Sequence, residues 1–175
     1  MTTPIKTIEE TPWIADMLAA VFDFDVTDPS HTPIEPLHLA GGGRLDPIAR
    51  DGAGGTYYLC GDGDERPVLY ADSEGGAALL APSLAAALAI IIQLPFWRDC
   101  LGPDDLEKIR ASIPALEQEY LDEEPDLSLH RTRLLDALNL TPGDALPLLL
   151  ATARGAGPEY AVLNEDGDPY ESLCE

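Results

Sequence analysis

The sequence predicts an α+β domain in which an antiparallel, curved sheet of roughly five to six strands packs against several α-helices. Three observations predict it. Aromatic and apolar runs bounded by Gly and Asp fall close together between residues 56 and 80, the pattern of short strands joined by tight turns. An alanine-rich apolar run follows at once behind Pro82 and Ser83. On both sides of this unit the apolar residues recur at helical spacing instead. With 175 residues the chain forms one domain able to bury a substantial core. It divides into an N-terminal helix and Pro-rich linker (1–36), a sheet with a central helix (37–101), and helices with a closing hairpin (102–175).

Thr11-Pro12 supplies the cap and first-turn residue of the first helix, along which Trp13, Ile14, Met17, Leu18, Val21 and Phe22 recur before an end near Phe24. Pro29, Pro33 and Pro36 hold the stretch from Asp25 to Pro36 extended. Leu37 to Leu39 and Leu45 to Ala49 flank Gly41-Gly42-Gly43 and read as a hairpin, with Pro47 restricting its strand to an edge or a first position. Thr56 to Cys60 and Pro67 to Ala71 are the clearest strands, and a shorter one follows at Ala77 to Leu80. Alternation sends Tyr57 and Tyr58 to opposite faces, one into the core and the other to the surface.

Pro82 and Ser83 open the central helix, whose apolar set is Leu84, Leu88, Ile91 and Ile92 and which Pro95 ends. Pro103-Asp104-Asp105 starts another with acids in its first turn, complementing the helix dipole. Leu106, Ile109, Ile113, Leu116 and Tyr120 keep one of its faces apolar, and Pro114 is expected to kink or split it near Ser112. Beyond the solvated run Asp122 to Asp126, a helix spans Leu127 to Leu138, and Thr141 to Asp144 starts the last one, with Pro147 arguing for an irregular first turn. Tyr160 to Asn164 and Tyr170 to Leu173 flank Glu165-Asp166-Gly167-Asp168 as a closing β-hairpin.

The balance of 32 acidic against 10 basic residues, a formal charge of −22, makes nucleic acid and anionic membrane surfaces poor partners. The excess is spread along the whole chain, so the surface is acidic everywhere and serves either solubility or the binding of a cationic partner. The longest apolar run, Ala85 to Leu94, falls well short of the roughly 20 residues of a membrane span, and the N-terminus lacks the pattern of a signal peptide. A cytoplasmic protein is expected.

Cys60, Cys100 and Cys174 are odd in number, widely spaced and free of any C-x-x-C pairing, which reads as reduced thiols rather than a disulfide framework or zinc knuckle. His31, His38 and His130 offer no marked partner for a Cys-His nucleophile. Gly41-Gly42-Gly43-Arg44 lacks the rest of a phosphate loop, and Asp51-Gly52-Ala53-Gly54-Gly55 precedes a strand where a dinucleotide fingerprint precedes a helix. Asp62-Gly63-Asp64-Glu65 and Glu165-Asp166-Gly167-Asp168 lack the ligand spacing of a calcium loop and read as solvated turns. No cofactor, metal or catalytic signature is expected. An enzyme stays open as an alternative, for which a deep polar pocket with convergent Asp or His side chains would speak.

From Asp46 to Leu101 the order is strand, turn, strand, turn, strand, helix, with Gly54-Gly55-Thr56-Tyr57-Tyr58, the acidic turn Gly61-Asp62-Gly63, the strand Pro67-Val68-Leu69-Tyr70, the turn Ser73-Glu74-Gly75 and the helix start Pro82-Ser83-Leu84. This stretch resembles the core of the SUKH superfamily, bacterial immunity proteins related to a family of fungal cell-wall regulators. The resemblance implies a non-enzymatic binding protein that covers a basic toxin, such as a nuclease or deaminase domain, and blocks its substrate site. A regulatory or scaffold protein of the same fold is the alternative. By charge and turn position the partner-binding candidates are Asp62, Asp64, Glu65, Asp72 and Glu74. Tyr58 and Trp97 are the aromatic anchors, Trp97 standing either as a core plug behind the central helix or at the rim of a groove.

Overall fold

The computed structural model describes residues 3–26 and 36–174. Its elements are α1 (Pro4–Glu10), α2 (Pro12–Phe22), β1 (His38–Leu39), β2 (Leu45–Arg50), β3 (Thr56–Cys60), β4 (Val68–Ala71), β5 (Gly76–Ala81), α3 (Leu84–Gln93), a 3-10 turn (Trp97–Leu101), α4 (Leu106–Glu123), α5 (Leu127–Ala137), α6 (Ala145–Gly155), a second 3-10 turn (Pro158–Tyr160), β6 (Val162–Leu163) and β7 (Glu171–Ser172). The central part of the Pro-rich linker, with Pro29 and Pro33, lies outside the described residues.

Five strands form the main sheet in the order β2-β3-β4-β5-β7. β2 to β5 are antiparallel, whereas β7 joins β5 in parallel, so the sheet is mixed and not wholly antiparallel as expected. Nor is it strongly curled. Pro47 lies on the outer strand β2, next to a register shift between Pro47 and Ala49. A residue without an N–H does no harm there, and the bulge blunts an exposed edge.

The predicted Gly41-Gly42-Gly43 hairpin does not form. β1 pairs with β6 instead, through His38 with Leu163 and Leu39 with Val162. The N–H groups of Ala40 and Gly41 donate to the carbonyls of Ala161 (2.8 Å) and Glu159 (3.1 Å). A Cβ on Gly41 would stand 2.7 Å from that of Glu159, so glycine is needed here for a close backbone approach. The closing hairpin is likewise only half realised. Its turn is bonded, Asn164 Oδ1 accepting from the N–H groups of Asp166 and Asp168, but its arms part into different sheets, β6 to β1 and β7 to β5.

The β1–β6 ribbon decides the fate of the paired tyrosines. One face of the main sheet, with Tyr57, Tyr70 and Leu80, packs beneath the helices. The other, with Tyr58, Cys60, Leu69 and Leu79, packs against Leu39, Val162 and the flanking Tyr160 and Tyr170. Tyr57 and Tyr58 do point to opposite faces, yet each is 2% exposed. The expected surface tyrosine therefore does not exist, because a sheet covered on both sides buries both sets of alternating side chains.

Pro12 accounts for the start of the chain. It opens α2, and by disfavouring helical backbone at Thr11 (φ −125°, ψ 89°) it also ends α1, a helix the sequence reading did not foresee. α3 matches its prediction, with the Ser83 hydroxyl accepting from the Ala86 N–H at 3.2 Å. Ala87, Leu88, Ile90, Ile91 and Ile92 along it are fully buried. α4 is not split at Pro114 but runs through it as one helix. Pro114 and Arg110 are both exposed, so water can satisfy the carbonyl that proline leaves without a donor. Among the described residues, no helix is long and apolar enough to cross a membrane.

Candidate functional site

Antiparallel pairing puts the β2–β3 and β4–β5 turns at one end of the sheet and the β3–β4 turn at the other. The Ser73 hydroxyl donates to the Ala53 carbonyl at 3.1 Å, joining the first two turns. The expected partner-binding carboxylates are thereby divided. Asp72 and Glu74 lie at one end, and Asp62, Asp64 and Glu65 at the other, roughly 13 Å of strand away.

At the β3–β4 end, Asp62 pairs with Arg44 at 3.0 Å, and Asp46 accepts from Arg44 (2.8 Å) and Arg66 (2.6 Å). The Arg66 hydrogen bond holds the Asp46 carboxyl below its ordinary range. That pair thus supports the fold above about pH 4, and its contribution fades as pH falls further. Asp64 and Glu65 are exposed and make no ion pair among the described residues. The adjoining recess, about 270 Å³, is lined by Leu39, Pro67, Asp62, Glu159 and Tyr160 among others.

The other end holds a hydrogen-bond network that the sequence reading missed. Asp51 Oδ1 accepts from the N–H groups of Ala53 (3.0 Å) and Gly55 (2.7 Å), and its Oδ2 accepts from the Tyr70 hydroxyl. Arg98 donates to that hydroxyl and to Asp72 Oδ2, both at 3.1 Å, with its guanidinium 5.1 Å from the Tyr70 ring centroid. Asp72 Oδ1 accepts from the N–H groups of Glu74 and Gly76. Asp72 is thus spent on holding its own turn, while Glu74 stays exposed.

Beneath the network the rings of Phe24, Tyr57, Tyr70 and Trp97 pack in sequence, with centroids 4.9, 5.0 and 5.1 Å apart. Trp97 is 3% exposed. It fills the core as a plug and offers no indole face to the surface, so neither aromatic anchor proposed from sequence is a rim residue. Burial pushes the Tyr58 phenol up to about 12. It pushes the thiols of Cys60 and Cys100 up to about 12 and 11, which leaves them unreactive and ill suited to a nucleophile.

Above these rings opens a cleft of about 460 Å³, lined by Asp23, Asp51, Trp97, Arg98, Asp99 and Tyr120 among others. Asp23 follows α2 in the left-handed conformation (φ 55°), and its Oδ1 accepts from the Gly52 N–H at 2.8 Å. Asp23 is an exposed residue, but partial desolvation of its carboxyl in the cleft raises it above the ordinary value of 3.8, opposed by the Gly52 hydrogen bond and aided by the nearby Asp51 charge. Such a group binds its proton more tightly folded than unfolded, so stability is lost as pH climbs through its titration and the penalty persists at neutral pH. Asp23→Asn keeps a carbonyl for Gly52 and a residue type that tolerates positive φ. Its urea midpoint gains on the parent at pH 7 by more than at pH 3, and an offset equal at both values would contradict this.

Metal-ligand residue types gather, among the described residues, at Glu124, Asp126 and His130, whose ligand atoms lie within 4.8 Å of one another. There His130 Nε2 is already 3.2 Å from Glu124 Oε1. No protein-family model, curated protein or solved structure matches this chain.

Of the cleft residues, Asp51 carried a readable signal, since Asp followed by Gly-x-Gly favours a side chain that bonds its own turn. Nothing in the local sequence marks Asp23 or Asp99, which reach the cleft only through packing of α2 and the 3-10 turn against the sheet.

Proposed function

We propose that this chain is a non-enzymatic binding protein of the immunity type, which neutralises a basic toxin effector in the cytoplasm by covering its substrate site. The observation that carries the reading is how the charges are used. Lys6, Arg44, Arg66, Arg98, Lys108, Arg110 and Arg131 are held in ion pairs within the chain. Arg133 lies over the Trp13 ring at 4.8 Å, and Arg154 donates to the carbonyls of Gly102 and Asp104. The carboxylates of Asp64, Glu65, Glu74, Asp99 and Glu159 face water at turns and loop ends.

A surface of this kind is charged like nucleic acid, competes with it for a cationic groove and steers rapid encounter. The cleft brings Asp23 and Asp99 together with Asp51 and Arg98, of which Asp51 is committed to backbone N–H groups and the Tyr70 hydroxyl, and Arg98 to Tyr70 and Asp72.

The test is capture of partners by the tagged chain from its native cells at low and moderate salt, then expression of any captured basic protein alone and together with this chain. A partner that arrests growth alone and is silenced by co-expression supports the proposal. Retention of nothing, or of salt-insensitive partners without toxicity, transfers the acidic surface to a regulatory role or to solubility.

A further inference from the structure

We propose that the cleft beside Asp23 seats a guanidinium group, the arginine side chain of a protein partner. This rests on the binding reading above and adds to it the place and the chemistry of an anchor.

Five segments build the cleft: the end of α2 with Asp23, the β2–β3 turn with Tyr57, the stretch from Pro95 into the 3-10 turn, Tyr120 of α4, and Leu173 after β7. Its size lies in the range of pockets that take a side chain or small ligand. Half-buried Tyr120 lines it, and the buried rings of Tyr57, Phe96 and Trp97 stand behind it. The cation already present, Arg98, is answered by Asp72 and turned onto the Tyr70 ring. Asp51 has its acceptors filled by two N–H groups and a phenol. That leaves the second oxygen of Asp23 and the exposed carboxylate of Asp99 without a hydrogen-bonded cation among the described residues.

The field these groups make is felt by their neighbours. The Tyr120 phenol is pushed up by burial and then by Asp99, Asp23 and Glu123. Tyr57 is likewise raised, by burial first and then by Asp51, with Asp23 contributing. A recess with negative potential beside the half-buried Tyr120 ring attracts organic cations, which gain from the carboxylates first and from that ring second. A bare metal ion fits less well, because Asp23, Asp51 and Asp99 do not bring three ligand atoms within 4.8 Å of one another. A planar, multi-donor guanidinium spans spaced carboxylates, as a point charge does not.

The test uses the isotope-labelled full chain titrated with N-acetyl-arginine amide, read by NMR at the Gly52 and Asp99 amides and the Trp97 indole N–H. N-acetyl-lysine amide, free arginine and a neutral sugar serve as comparisons at constant ionic strength. Saturable shifts confined to those three signals are expected, with binding at least about fivefold weaker in Asp23→Asn/Asp99→Asn. Asp99→Asn alone, at an exposed position, carries the test should the double variant fail to fold. Shifts that stay linear and spread over the acidic surface, an unchanged affinity in the variants, or saturation by the sugar but not the arginine amide would each overturn the site. Tighter binding of free arginine than of its blocked form would overturn the protein-borne source. None of these results touches toxin neutralisation, which stands or falls on the co-expression experiment.

Discussion

Replacing Gly55 by alanine is expected to lower stability by about 3 kcal/mol, the sum of overpacking and a broken buried hydrogen bond. The Cβ of an alanine would sit 2.2 Å from the Tyr70 hydroxyl, 2.6 Å from its Cζ and 2.7 Å from Asp51 Oδ2. Tyr70 has nowhere to go. It is fully buried, its ring is packed against Tyr57 and Trp97, and its hydroxyl bridges Asp51 and Arg98. Moving it would also release Asp51, which fastens the β2–β3 turn through the N–H of Gly55 itself. In urea the midpoint should fall by about 1.5 M, given the slopes usual for domains of this size. Gly102→Ala, where the new methyl group meets nothing within 4 Å, is the matched control and should change little. Equal midpoints for the two variants would mean that the Tyr70 network is slack enough to yield.

Association with a basic effector is expected to slow about a hundredfold between roughly 20 and 300 mM salt, because steering by a globally acidic surface is screened beyond the Debye length. The combined variant Asp62→Asn/Asp64→Asn/Glu65→Gln should reduce the association rate about tenfold at low salt while leaving dissociation nearly unchanged, the mark of rim charges that guide encounter. Asp62 contributes least to this field, since Arg44 neutralises it at 3.0 Å. The turn should survive the change, because all three side chains are exposed. Rate measurements by stopped flow or surface resonance decide it. An association rate indifferent to both salt and these substitutions would remove the electrostatic basis of the proposal.

Asp72 bonds its own turn and Arg98 rather than standing free among the charges on offer. Its position on an acidic turn was clear, but whether a turn carboxylate faces a partner or bonds its own backbone depends on neighbours that approach from elsewhere. Here Arg98 arrives from behind α3, and the amides of Glu74 and Gly76 claim the other oxygen. Trp97 followed similar logic. Its sequence context admitted plug or rim, and the ring stack with Tyr57 and Tyr70 makes it a plug.

What the chain determined by itself was what local chemistry dictates. The strands β3 and β4, their Gly- and Asp-bounded turns, the Ser83 cap of α3 and the restriction of Pro47 to an edge or a first strand position all follow from backbone restrictions within a few residues. Only the tertiary structure decided which ends of the chain meet. β1 abandons its sequence neighbour for β6, β7 turns parallel to β5, and the resulting ribbon buries Tyr58. The Asp23 cleft forms in the same way, from carboxylates far apart in sequence. Periodicity records the faces of one element, whereas burial of a second face and convergence of distant charges are set by the mutual packing of elements that carry no local mark of one another.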